Sequence, residues 1–198
     1  MSSDAVAPLT GESAHPPRNR RQEETFRKVL AAGLEMLRES SYADLTVRAV
    51  AARAKVAPAT AYTYFSSKNH LIAEIYLDLI RQVDYFTDVN DSKVVRVEKT
   101  LRSMALMVAD EPEVAAACTT ALLSGNDPAV RTVRERIGGE IHRRIRAAVG
   151  PNPDPRTLAA LEMTFFGALV NAGSGAFTYH QIADRLSYVV GLIVGEDK

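Results

Sequence analysis

Tryptophan is absent and cysteine occurs once, at Cys118, in a chain of 198 residues. A lone cysteine closes no internal disulfide and cannot hold zinc through thiolates by itself, which points to a reducing compartment, the cytoplasm. No apolar core segment occurs in the first 17 residues, where Asp4 and Glu12 stand instead, so no secretory leader is read there. The histidines, His15, His70, His142 and His180, are scattered without zinc-ligand spacing, and nothing resembles HExxH, a Gly-rich phosphate loop or a nucleophilic triad. An enzyme is therefore not expected, nor a metal or cofactor. Runs of alternating apolar residues rich in β-branched types are missing too, which leaves an all-α chain. Residues 163–183 contain no Asp, Glu, Lys or Arg. They do not read as a membrane span, because Asn171, Gly173, Ser174, Gly175, His180 and Gln181 interrupt the stretch where lipid demands continuous backbone bonding. An uncharged helix of this kind must bury most of its circumference, inside the domain or against a second subunit.

Hydrophobic residues make up 46% and charged residues 24%, an ordinary globular balance in which 24 basic side chains cancel 24 acidic ones. The cancellation hides an asymmetry: residues 1–70 hold 10 Lys/Arg against 7 Asp/Glu, while residues 71–198 hold 14 against 17. The first part is the better partner for phosphates. Residues 1–19 mix Ser, Pro, Gly and small apolar residues without a period, which predicts a mobile arm. Phe26, Leu30, Gly33 and Leu37 recur at helical spacing and predict a first helix from Arg20 to Ser40. Thr46 is placed to cap a second over Val47 to Ala54, and Pro58 to open a third. Ser66 or Ser67 caps a longer helix reaching Phe86. Five more follow over 93–110, 112–123, 128–149, 156–172 and 179–194, about nine in all, each bounded by proline or glycine punctuation. The chain thus divides after the arm into a first unit, 20–66, and a second, 67–198.

The informative stretch is Thr46 to Leu71, TVRAVAARAKVAPATAYTYFSSKNHL. Val47, Val50, Ala51 and Ala54 share a face, Lys55, Val56 and Ala57 make a tight connection, and PATAYTYF follows, which is a helix-turn-helix pattern. On the wheel of the third helix Pro58, Ala61, Tyr62 and Phe65 fall on one side and Ala59, Thr60, Thr63 and Tyr64 on the other. That second side is uncharged, small at its start and rich in hydroxyls, as suits a helix lying deep in a major groove.

The string AARAKVAPATAYTYFSSKNHL resembles the signature of TetR-type bacterial transcriptional regulators: an apolar helix, an Ala, a turn, a Thr, a Tyr, a Tyr-Phe pair and a Lys three residues later. The resemblance implies a three-helix DNA-binding domain joined through a connecting helix to a helical ligand-binding and dimerising domain. It further implies a homodimer that binds double-stranded DNA at an inverted-repeat operator as a repressor and is released by a ligand. Carried over, Thr46 would contact a phosphate from the start of the second helix, as would Thr60, Tyr64 and Lys68 around the recognition helix. Pro58, Ala59 and Thr63 would lie nearest the base edges and Tyr62 at the rim. Three positions depart from the usual pattern. Lys55 replaces the common turn glycine and would carry a left-handed backbone at about 1 kcal/mol, although its charge adds a possible phosphate contact. Ala57 forfeits a cap worth about 1 kcal/mol, and Ala61 stands for leucine. Arg18, Arg20 and Arg21 either reach the DNA when the domain docks or form a solvated basic tail.

In the second unit Met104, Met107, Cys118, Leu122, Met163 and Phe166, with Asn171 as an orienting polar group, are candidates to line a cavity for a small apolar effector. A lipid-, acyl- or steroid-like metabolite and a lipophilic drug fit equally. Leu161, Phe165, Ala168 and Leu169 form one helical stripe and Ile182, Leu186 and Val190 another, which together suggest a four-helix dimer interface. The rival reading is a helical ligand-binding protein without DNA-binding activity, encouraged only by Lys55 and Ala57.

Overall fold

The computed structural model describes residues 19–195, so Arg18 and the rest of the expected arm before Asn19 lie outside the described residues. Among the described residues there are nine α-helices and no strand. They are α1 (Arg20–Glu39), α2 (Val47–Arg53), α3 (Pro58–Tyr64), α4 (Lys68–Gln82), α5 (Lys93–Leu106), α6 (Pro112–Leu123), α7 (Pro128–Val149), α8 (Pro155–Gly173) and α9 (Tyr179–Val194). Their starts follow from local chemistry. Asn19 and Gln22 form a reciprocal capping box on α1, and Thr178 and Gln181 do the same on α9. Thr46, Ser67, Ser92, Asp127 and Asp154 each place a side-chain oxygen on a free amide of the following helix.

Helix α4 is the axis of the molecule. Residues Leu71 to Leu77 are all buried, because α1 covers one side of the helix and α6 and α7 cover the others. Gly33 lets α1 lie close on it: a β-carbon there would meet Ile75 Cδ1 at 2.9 Å. The helix stops at Gln82, short of the Phe86 expected from the sequence. Val83 is extended, and the carbonyls of Arg81 and Val83 are taken by the guanidinium of buried Arg144. Arg144 is itself ion-paired with buried Glu140 and lies 4.5 Å over the Tyr85 ring. An apolar pattern cannot show such a stop, because the groups that satisfy the last carbonyls sit some sixty residues away.

Helix α8 corrects two expectations. Leu161 and Phe165, together with Ile182, Leu186 and Val190 on α9, are buried within the single chain, and Ala168 and Leu169 are packed against the same core. Leu161, Phe165, Ile182, Leu186 and Val190 therefore face inward and are not free to meet another subunit, whereas Ala168 and Leu169 stay partly open. The outward side carries Met163 (73% exposed), Phe166, Val170, Tyr188 (79%) and Leu192 (84%) instead. Met163, Phe166 and Asn171, expected to line a cavity, lie exposed on α8. Of the remaining cavity candidates, Met104 and Cys118 are buried, and Met107 and Leu122 are partly buried against the core. The physical reason is that α8 is apolar around most of its circumference. Spacing alone offers two stripes, and packing against α9 decides which one turns inward.

Candidate nucleic-acid interface

Helices α2 and α3 meet through a small contact made by Val47, Ala51 and Ala61, all buried. Leucine in place of Ala61 would have to fit between the two helices, so alanine there accompanies a close approach. The turn is closed by the Val56 amide donating to the Ala51 carbonyl at 2.9 Å and the Lys55 amide to Ala52 at 3.1 Å. Lys55 sits at φ 55°, in the left-handed region, as expected from its place in the turn. Its substitution by glycine should raise unfolding stability by about 0.5–1 kcal/mol in a denaturant titration, and no gain would mean that the lysine carries no backbone cost.

Behind α3 the aromatic residues tie the motif to α1. Phe65 stacks on Phe26 with ring centres 5.0 Å apart, and Tyr64 meets Phe26 edge-on at 6.1 Å. Tyr64 is therefore half-packed, whereas Tyr62 is 51% exposed and stands outside the core. Pro58, Ala59, Thr60 and Thr63 are all exposed. Thr63 donates its hydroxyl proton to the Ala59 carbonyl at 3.1 Å, so the donor is used within the helix. Ala57 makes no side-chain cap, as its residue type requires.

The basic groups differ in their commitments. Thr46 accepts the Ala49 amide at 3.1 Å and keeps its own hydroxyl proton unspent. Lys68 donates to the Tyr42 carbonyl at 2.9 Å and stands 4.0 Å over the Tyr42 ring, which fixes the ammonium beside the α1–α2 connection. Arg53 is engaged by Glu39 and Glu35 of α1, and its hydrogen bonds hold the Glu39 carboxyl below the usual range. Arg48 is exposed without an ion-pair partner among the described residues, and sequence reasoning missed it. The signal was its place two residues after the helix cap, on the turn that also presents Thr46.

A bonded seam joins this unit to the second one. The Ser67 hydroxyl caps α4 and donates to Asp127 at 2.6 Å, while Asp127 caps α7 with its other oxygen. That hydroxyl holds the Asp127 carboxyl below its ordinary range. Tyr42 donates to Asn69, which donates to Ser124 in the α6–α7 connection. Arg38 is bidentate to Glu111 at the start of α6. Burial alone would raise the carboxyl of Glu74 on α4, but His70 and Arg136 of α7 outweigh it and hold the group low. Directional bonds as well as packing thus join α6 and α7 to the base of the helix-turn-helix.

The family model described as bacterial regulatory proteins, tetR family, matches residues 29–75, which include α2 and α3. An uncharacterized HTH-type transcriptional regulator of Mycobacterium tuberculosis is 68% identical, over 98% of this chain and 94% of its own length. The HTH-type transcriptional repressor KstR of Rhodococcus jostii is 25% identical over 88% of this chain and 85% of its own. Among solved structures, a TetR transcriptional regulator from Rhodococcus sp. RHA1 superposes with a TM-score of 0.72 at 23% identity, covering 91% of this chain and 100% of that one.

Proposed function

Since the chain belongs to the TetR family of HTH-type transcriptional regulators, whose DNA-binding role it shares, we propose that it acts as a homodimeric repressor at an inverted-repeat operator and is released by a small apolar effector. The observation that carries this reading is the outer face of α3, exposed, uncharged and preceded by a basic turn. In this assignment Pro58, Ala59 and Thr63 approach base edges, where the Thr63 methyl meets a thymine methyl because its hydroxyl is spent on Ala59. Thr46, Arg48, Lys55, Thr60, Tyr64 and the two remaining donors of Lys68 take phosphates, and Tyr62 stands at the rim. Residues 20–66 are the DNA-binding unit and 67–198 the effector-binding and dimerising unit, at work in the cytoplasm.

Two copies meet through the outward side of α8 and α9, with Met163, Phe166, Val170, Tyr188 and Leu192 in the contact. Large apolar side chains exposed together in this way are costly to leave in water. Two-fold pairing sets the separation of the recognition helices, which must be about 34 Å or a related helical repeat to enter successive grooves. An effector preferring a conformer with another separation lowers DNA affinity by its differential affinity for the two states. Helix α4 and the Ser67–Asp127 and Asn69–Ser124 bonds carry that shift. Repression is favoured over activation by the likeness to a protein named as a repressor.

Titration of the full chain against the DNA upstream of its own coding sequence, at about 50 and 200 mM salt, tests the reading. Specific binding with a two-fold footprint that weakens steeply with salt is expected. Affinity no greater than for random duplex would favour a ligand-binding protein without DNA-binding activity.

A further inference from the structure

The end of α7 carries cations that neither the fold nor the proposed DNA contacts consume. Between that end and the α4–α5 connection lies an open recess of about 740 Å³, lined by Arg96, Arg143 and Arg146 with Thr87 and Asn152 beside them. No acidic residue lines it. Arg96 of α5 is its fixed member. The Nε of Arg96 donates to the Ala148 carbonyl at 2.9 Å and its Nη1 to the carbonyls of Asp88 and Asp91. Its Nη2 stands beside Gly150, where a β-carbon would lie 3.6 Å away, and has no acceptor among the described residues. The nearby carboxylates are already engaged, Asp88 by Asn90 and Asp91 by Lys99. Arg146 is exposed, and its side chain makes no hydrogen bond or ion pair among the described residues. Arg143 shares Glu140 with Arg144, so one carboxylate is divided between two guanidiniums. The last carbonyls of a helix ordinarily repel an anion, but here Arg96 covers that of Ala148.

We propose that this recess binds a diphosphate group, as the free ion or carried on a small organic molecule. Guanidinium forks match phosphate oxygens in pairs, and Arg96 is held in place before any ligand arrives, which lowers the entropy cost of binding. One phosphate group carries at most about two charges at neutral pH, so three guanidiniums around one recess suit a longer anion. A diphosphate fills only part of the volume, and Val89 and Pro151 offer apolar surface to an attached organic group. The phosphates of DNA are not the ligand. The recess lies at the far end of α7 from Asp127, whose bond to Ser67 marks the base of the helix-turn-helix, about 30 Å away along the helix. The site depends on neither the operator nor the apolar effector assignment.

Calorimetric titration of the full chain with inorganic pyrophosphate and with ADP, both without magnesium, tests the site in the native protein, in Arg146→Ala and in Arg131→Ala. Arg131 is an exposed arginine near the start of the same helix, about 22 Å from Arg146, so its loss removes the same charge away from the recess. The native protein should bind at least one of the two with a Kd below about 1 mM. Arg146→Ala should lose about tenfold in that affinity, one charge-assisted hydrogen bond's worth, and melt as the native protein does because its side chain is unbonded in the fold. Arg131→Ala should bind as the native protein. Tighter binding of ADP assigns a carried diphosphate, and tighter binding of pyrophosphate assigns the free ion. A Kd above about 1 mM for both probes, native affinity in Arg146→Ala, or an equal loss in Arg131→Ala overturns the proposal.

Discussion

Thr60→Glu should lower affinity for the upstream DNA by at least about a hundredfold while leaving the melting temperature within about 2 °C of native. Thr60 is exposed and is the third residue of α3, so a carboxylate there sits in the first turn, where the helix dipole favours negative charge. The fold has no reason to object. In the proposed complex the same carboxylate would face phosphates, replace a neutral donor by a like charge and add a repulsion worth several kcal/mol at close range. Mobility-shift titration and thermal melting on one preparation read both quantities. Unchanged DNA affinity in a folded protein would remove α3 from the interface. A large fall in melting temperature would mean that the position is structural.

The second large effect separates two adjacent residues of α8. Phe166→Asp combined with Leu192→Asp should convert the proposed dimer into a folded monomer and reduce affinity for the upstream DNA by about a hundredfold or more, because two half-sites would no longer be bound as one unit. Both side chains are exposed in the single chain, so the isolated subunit gives up little. Phe165→Asp, one residue away, should instead prevent folding, since Phe165 is fully buried and an unpaired carboxylate there has no partner. Sedimentation and circular dichroism distinguish the two results. A double variant that remains dimeric would place the subunit contact elsewhere on the molecule.

Much of the fold was legible because its signals are local. Caps at Thr46 and Ser67, proline at the first turns of α3, α6, α7 and α8, and glycine after α7 each act within a few residues of chain. The strained Lys55 was readable for the same reason, as the short connection it opens allows few conformations. The helical wheel groups Tyr62 with Ala61 and Phe65, yet Tyr62 is 51% exposed while Phe65 is buried on Phe26, and only the family's pattern put Tyr62 at the rim. Arg48 and Arg53 look alike in sequence, yet Arg53 is held by Glu35 and Glu39 across the α1–α2 angle and Arg48 is not.

Sequence by itself determined the helical class, the order of the elements, the helix-turn-helix and the family to which it belongs, since each depends on side chains close together along the chain. Tertiary structure alone decided which side of α8 and α9 turns outward, where α4 ends and which cations are already paired. Those outcomes are set by residues far apart in sequence competing for the same volume and the same hydrogen bonds, and a helical period records a stripe without recording what lies against it.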